Sequence, residues 1–292
     1  MSTGVTLHRL AGPFGVEVRG LDLARGADED TMRQLTAALY EHQVVVVRAQ
    51  QLDRDAYLDF GRQWGTPIAH VLDHMRMPGY SELMTVGNTE PRDEDPKIRN
   101  GAALWHTDQS YEAVPASATM LYSIRAPRSG GETQFCNMAL AYEALDPATQ
   151  ARIAPLYIAH KYGRGTRRAD EPEVNPIIND EQDRKVPAIH HPITYAHPVT
   201  GRKALYALGH GAHGVKDLPD GEGLALIESL KDHALQERFI YRHKYRVGDV
   251  AIWDTLATMH RATPIGVACS DDDARLLWRI SVRGKPAIHA CD

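Results

Sequence analysis

Residues 14–23, FGVEVRGLDL, alternate apolar and polar positions with the two-residue period of a half-buried strand. From Asp28 to His42 the period lengthens, and Met32, Leu35 and Leu39 fall on one helical face. QVVVVRAQ (43–50) is a continuous β-branched run, the pattern of a strand buried on both faces. LDRDAYLDFGRQWG (52–65) then predicts a helix capped by Asp53 and stopped by Gly65. Residues 70–103 lack a period and are rich in Pro, Asp, Glu, Arg and Asn, so they read as a long irregular excursion that could cover a site.

ATMLYSIRAP (118–127) predicts a strand, ended by RSGGET, whose paired glycines permit a tight turn. Helices follow at Ala139–Leu145 and within DPATQARIAPL. A second charged, aperiodic stretch spans 163–185 and reads as a second cover. HPITYAHPVTGRKALYAL predicts two strands joined at PVTG, and Asp220–Ala234 places Leu224, Ile227 and Leu230 at helical spacing. FIYRHKYRV, VAIWD and RLLWRISVRG are strand-like. Short strands predominate without regular strand-helix alternation. The expected fold is therefore mainly β with flanking helices, a β-sandwich or jelly-roll in one domain over 1–292.

Composition narrows the function classes. The net charge of −5 arises from 33 basic and 38 acidic residues without long single-sign blocks, so no basic stripe for nucleic acid is present. No run approaches a membrane span, and the N-terminus lacks a basic region followed by an apolar one. Cys136, Cys269 and Cys291 are odd in number and lack metal-type spacing, which suits a reducing, cytoplasmic location.

LWHTDQSY (104–111) carries the chemistry. On an extended segment His106 and Asp108 project to the same side, as two ligands of one metal would. His260, at the end of VAIWDTLATMH, would complete a two-histidine, one-carboxylate face with open positions suited to iron(II). The plainer alternative makes His106 an interior histidine, Asp108 its partner and His260 a surface residue. Arg275 and Arg279 shift the balance, because two guanidiniums on one side of an apolar strand require anionic partners. An organic diacid would satisfy them. A zinc-type hydrolase and a non-catalytic metal-binding jelly-roll are the competing readings.

Together WHTD, GGETQF, GDVAIWDTLATMHRA and RLLWR resemble the taurine/2,4-dichlorophenoxyacetate dioxygenase family, and the resemblance spans nearly the whole chain. GGETQFCNMALAYEAL, GRKALYALGHGAHGV and FIYRHKYRVGDVAIWD resemble its aryloxyacetate branch more than its taurine branch. The family implies a double-stranded β-helix of the cupin-like kind, oligomeric assembly, and hydroxylation of a small anionic substrate coupled to decarboxylation of 2-oxoglutarate to succinate and CO2, with Fe(II) and O2. It implies iron ligation by His106, Asp108 and His260, and 2-oxoglutarate held by Arg275 and Thr133. It matches Arg279 and His70 to substrate-contacting positions, with His197, His210 and His213 as further candidates facing the substrate. GAAL (101–104) replaces the asparagine-containing stretch of taurine enzymes, which disfavours taurine itself.

Overall fold

The computed structural model describes residues 5–172 and 179–289. Among these, nine strands form one large sheet in the order Thr6–Arg9, Val16–Arg19, Val44–Val47, Val250–Asp254, Ala118–Arg125, Leu276–Arg283, Tyr80–Gly87 and Arg76–Met77, with Thr66–Pro67 paired to one end of Leu276–Arg283. Neighbours run antiparallel except Val16–Arg19 beside Val44–Val47. A second sheet of three strands, Ile240–His243, Thr133–Asn137 and Thr258–Ala262, faces the first. This is the jelly-roll sandwich that the strand pattern predicts.

The Val44–Val47 run is buried at every position because the large sheet is covered on both sides. Val44 and Val46 point between the sheets, where they meet Phe135, Tyr245, Trp253 and Leu277. Val45 and Val47 point the other way, with Met120, Ile252 and Val282, under the helices Glu29–His42 and Arg54–Trp64. Those helices begin at Asp28 and Asp53, whose carboxylates accept from Thr31 N and Ala56 N, and present Leu35, Leu39, Tyr57 and Phe60 to the sheet. A third apolar cluster lies behind the small sheet, where Cys136 and Met259 pack with Ile227 and Leu230 of the helix Asp220–Ala234.

Two expectations need correction. Residues 70–103 are not a structureless excursion, since Tyr80–Gly87 is an eight-residue strand of the large sheet paired with Leu276–Arg279. Its alternation is blurred because the adjacent Leu83 and Met84 are both buried, Leu83 in the core under the helices and Met84 at the cavity. Arg76–Met77 adds a short edge strand beside it, and much of the remainder forms short turns and the helix Pro96–Arg99 capped by Asp95. The 163–185 stretch ends in a capped helix, Asp180–Lys185, and part of it (173–178) lies outside the described residues, as does Cys291. Cys136 is buried and Cys269 exposed, both as free thiols. No helix among the described residues is long and apolar enough to cross a membrane.

Candidate active site

His106 and His260 are 154 positions apart in sequence yet are direct neighbours in a β-bridge. His106 N donates to the His260 carbonyl and His260 N to the His106 carbonyl, each at 2.9 Å. This closed pair of backbone bonds sets their side chains side by side, with ring centroids 4.2 Å apart. Asp108 follows on the same face of the extended segment. Its Oδ1 lies 3.7 Å from His106 Nε2, and its Oδ2 lies 3.6 Å from His260 Nε2. One ligand atom from each residue lies within 4.8 Å of the others, close enough for one ion.

The donor set fits a metal. His106 Nδ1 donates to the Leu104 carbonyl at 2.7 Å, which leaves Nε2 with its lone pair directed at the centre. Burial, with His106 beside it, pushes the His260 imidazole down to about 3, so it stays neutral as a ligand must. Burial alone would raise the Asp108 carboxyl. The permanent charge of the Arg279 guanidinium outweighs that effect and holds it well below the usual carboxylate range. Asp108 Oδ2 is buried without a hydrogen-bond partner among the described residues, and an ionised oxygen in that state is costly unless a cation meets it.

The centre opens into a cavity of about 210 Å³ whose wall includes His70, Thr133, His210, Trp253, Arg275 and Arg279. Arg275 immediately precedes the strand Leu276–Arg283, and Arg279 lies within it. The bulge in this pairing skips Ile124 on the neighbouring strand, so Arg275, Leu277 and Arg279 keep one inward parity. Arg275 is 2% exposed; its Nε donates to the Gly131 carbonyl at 3.0 Å, and it has no carboxylate partner among the described residues. Burial draws its pKa down, although a guanidinium stays charged in protein. Gly131 has φ +71°, and a Cβ there would meet Arg275 Cδ at 3.1 Å and Pro127 Cγ at 2.8 Å, which accounts for the glycine at this position.

Arg279 Nη2 donates to Asp108 Oδ1 at 2.7 Å, while Nη1 reaches only Met84 Sδ at 3.1 Å. His70 Nδ1 accepts from Leu72 N at 3.1 Å, leaving Nε2 to carry the hydrogen. Burial, reinforced by Arg279, pushes His70 down to about 3, so it is a neutral donor. His197 and His213 do not line this cavity. His197 packs against Tyr40 beside a much smaller pocket, 3.6 Å from Asp254, because the turn at PVTG holds its Nδ1 against the Val199 and Thr200 amides. His213 is on the strand Ala212–Val215 with Nδ1 against the Gly211 carbonyl.

Three positioning features escape sequence reasoning. Tyr245 hydrogen-bonds Thr133 Oγ1 at 3.0 Å and places its ring 5.7 Å from the Arg275 guanidinium, linking both expected co-substrate contacts. Glu171, from the charged 163–185 stretch, accepts from Trp105 N at 2.7 Å, directly before His106. Gly209 touches the metal-binding segment, where an added Cβ would lie 2.5 Å from the Trp105 carbonyl oxygen and 2.6 Å from His106 Cα. Of these, only the small residues of LGHG (208–211) left a sequence trace.

Comparison with known proteins agrees with this geometry. The chain is 31% identical over 265 residues to an alpha-ketoglutarate-dependent 2,4-dichlorophenoxyacetate dioxygenase of Cupriavidus pinatubonensis, covering 87% of this chain and 90% of that one. It is 30% identical over 303 residues to an (S)-phenoxypropionate/alpha-ketoglutarate dioxygenase of Sphingobium herbicidovorans, covering 98% of each. The crystal structure of a taurine dioxygenase from Burkholderia xenovorans superposes with a TM-score of 0.78 at 29% identity, covering 96% of this chain and 90% of that one. The family model described as taurine catabolism dioxygenase TauD, TfdA family matches residues 6–281, and the chain belongs to that family.

Proposed function

We propose that this iron(II)- and 2-oxoglutarate-dependent dioxygenase hydroxylates a small organic acid, a carboxylate or sulfonate with an aryloxyalkanoate-like body. The observation that carries the reading is the presence of two separate guanidiniums, Arg275 and Arg279, in one cavity with His106, Asp108 and His260. A metal hydrolase has no use for a second anion grip of this kind.

His106, Asp108 and His260 would hold the iron on one face and leave the other positions open. When bound, iron(II) and 2-oxoglutarate supply the activation of dioxygen, with release of succinate and CO2. Arg275, flanked by Thr133, grips the far carboxylate of 2-oxoglutarate through charge-assisted hydrogen bonds and fixes its orientation. Arg279 offers Nη1 to the acid group of the substrate while Nη2 stays on Asp108, which keeps the substrate close to the metal. His70 Nε2–H is a second, neutral donor to the same group. Leu72, Met75, Met84 and Ile98 form apolar wall that excludes water and favours an apolar substrate body. Where the hydroxylated carbon bears oxygen, sulfur or nitrogen, its bond to that atom then breaks.

The test is succinate release in the presence of iron(II), O2 and 2-oxoglutarate, scored against aryloxyalkanoates and alkylsulfonates with product identification. Stimulation by an acid and formation of its hydroxylated or cleaved product are expected. Should no acid of either class stimulate turnover, the substrate reading is wrong. Arg279→Ala is expected to raise the KM for the acid at least tenfold with a smaller effect on 2-oxoglutarate. The reverse pattern would exchange the roles of the two arginines.

A further inference from the structure

Among the described residues, six buried polar side-chain atoms without a hydrogen-bond partner belong to residues that line the cavity: Asp108 Oδ2, Gln109 Oε1, Tyr111 OH, His210 Nδ1, Trp253 Nε1 and His260 Nδ1. Buried polar groups in native proteins are satisfied with few exceptions, so orphans concentrated at one cavity point to what binds there. Asp108 Oδ2 belongs to the metal centre, whereas His260 Nδ1 is the ring nitrogen on the side away from Asp108. The Tyr111 hydroxyl has no part in anything described so far.

Its position is fixed from several sides. Tyr111 follows Asp108 by three residues in a tight turn, where Gln109 adopts φ 49°, Ser110 N donates to the Thr107 carbonyl at 3.3 Å and Glu112 N donates to the Gln109 carbonyl at 2.9 Å. Arg283 anchors the Glu112 carboxylate at 2.5 Å. The Tyr111 ring stands edge-on to Tyr162, with centroids 4.9 Å apart and planes at 87°. In the same cavity Arg279 Nη1 has only a thioether sulfur, a weak acceptor. Among the described residues, the Tyr111 hydroxyl and Arg279 Nη1 therefore have no oxygen to donate to.

We infer that Tyr111 is a substrate-contacting residue whose hydroxyl donates to an oxygen of the substrate's acidic group, alongside Arg279 Nη1. The inference rests on the reading of this cavity as the seat of a small acid and adds a second recognition element to it. The class of ligand follows from the donors, an organic anion with two or more acceptor oxygens. Burial holds the phenol well above its usual pKa, so it remains a donor across the working pH range.

The test compares the wild-type protein with Tyr111→Phe, each loaded with Mn(II) and 2-oxoglutarate and titrated calorimetrically with 2,4-dichlorophenoxyacetate, its methyl ester and hexanesulfonate. Phenylalanine keeps the ring against Tyr162, and thermal unfolding of the variant verifies that the fold is intact. The Kd of the acid is expected to rise about tenfold, with 2-oxoglutarate binding within twofold of wild type and the ester little affected. Whichever of the carboxylate and the sulfonate suffers the larger loss identifies the preferred head group. Equal acid binding by the two proteins would overturn the role of Tyr111 and leave the cavity reading standing. An equal loss for acid and ester would also overturn it, since it would mark an effect of cavity shape. Binding of neither acid to the wild type would remove the cavity reading and this inference with it.

Discussion

Arg275 is charged and buried with no carboxylate in ion-pair contact among the described residues, whereas Arg279 already holds one in Asp108. This difference in partners, which spacing alone does not reveal, supports the proposal that Arg275 rather than Arg279 takes a diacid's remote end. Arg275→Lys would lose the planar two-point grip and is expected to raise the KM for 2-oxoglutarate tenfold or more while leaving metal affinity within threefold, as titration with Mn(II) would show. Tyr245→Phe removes one hydrogen bond to Thr133 and is expected to weaken 2-oxoglutarate about fivefold in an equilibrium titration, with the acid substrate unaffected. The metal ligands were legible because a two-residue period in an extended segment puts His106 and Asp108 on one side. Tyr245 was not, because its bond to Thr133 spans 112 positions and neither residue type announces it.

The segments around the centre divide into walls and ties. Tyr80–Gly87 is a wall, held by pairing with Leu276–Arg279, while the turns at 91–99 reach the cavity only through Asp93, Lys97, Ile98 and Arg99. Amide hydrogen exchange at 91–99 is therefore expected to slow when an acid substrate binds, while Tyr80–Gly87 changes little. Uniform behaviour across 80–99 would contradict that division. Glu171 is a tie, and so is the backbone approach at Gly209. Gly209→Ala forces a methyl group against the backbone of Trp105 and His106, so a loss of metal affinity of at least tenfold is expected, with most helix and strand content retained by circular dichroism. Strands and capped helices were readable from period and cap residues. The Tyr80–Gly87 strand was not, because Leu83 and Met84 are both apolar and buried on opposite faces, which breaks the two-residue period.

Across the whole molecule, buried imidazoles set the response to acid. Burial pushes the fully buried His160 down to about 3 and lowers His243, whereas both take up protons near 6.5 once unfolded. Each therefore favours the folded state above 6.5, and that stability is lost as pH falls below it, down toward 3 for His160, at about 1.4 kcal/mol per pH unit for each proton that only the unfolded chain binds. Asp254 acts in the opposite sense. Burial raises it to about 7, so its ionisation costs stability above that pH and the cost fades as pH falls toward 4. Asp254→Asn is expected to raise the melting temperature at pH 8, with the gain shrinking by pH 5; an unchanged melting temperature at both would mean the carboxyl is not held protonated. The jelly-roll class was visible in the abundance of short strands, while the partition of its core on both faces of the large sheet emerged only from the pairing. The bridge between His106 and His260 joins a loop approaching the large sheet to the small sheet, so an ion gripped by both rings acts as a rivet across the seam of the sandwich. Stripping that ion with a chelator should loosen the seam first, and accelerated deuterium uptake at the amides of 106 and 260, ahead of any global melting, is how the loosening would appear.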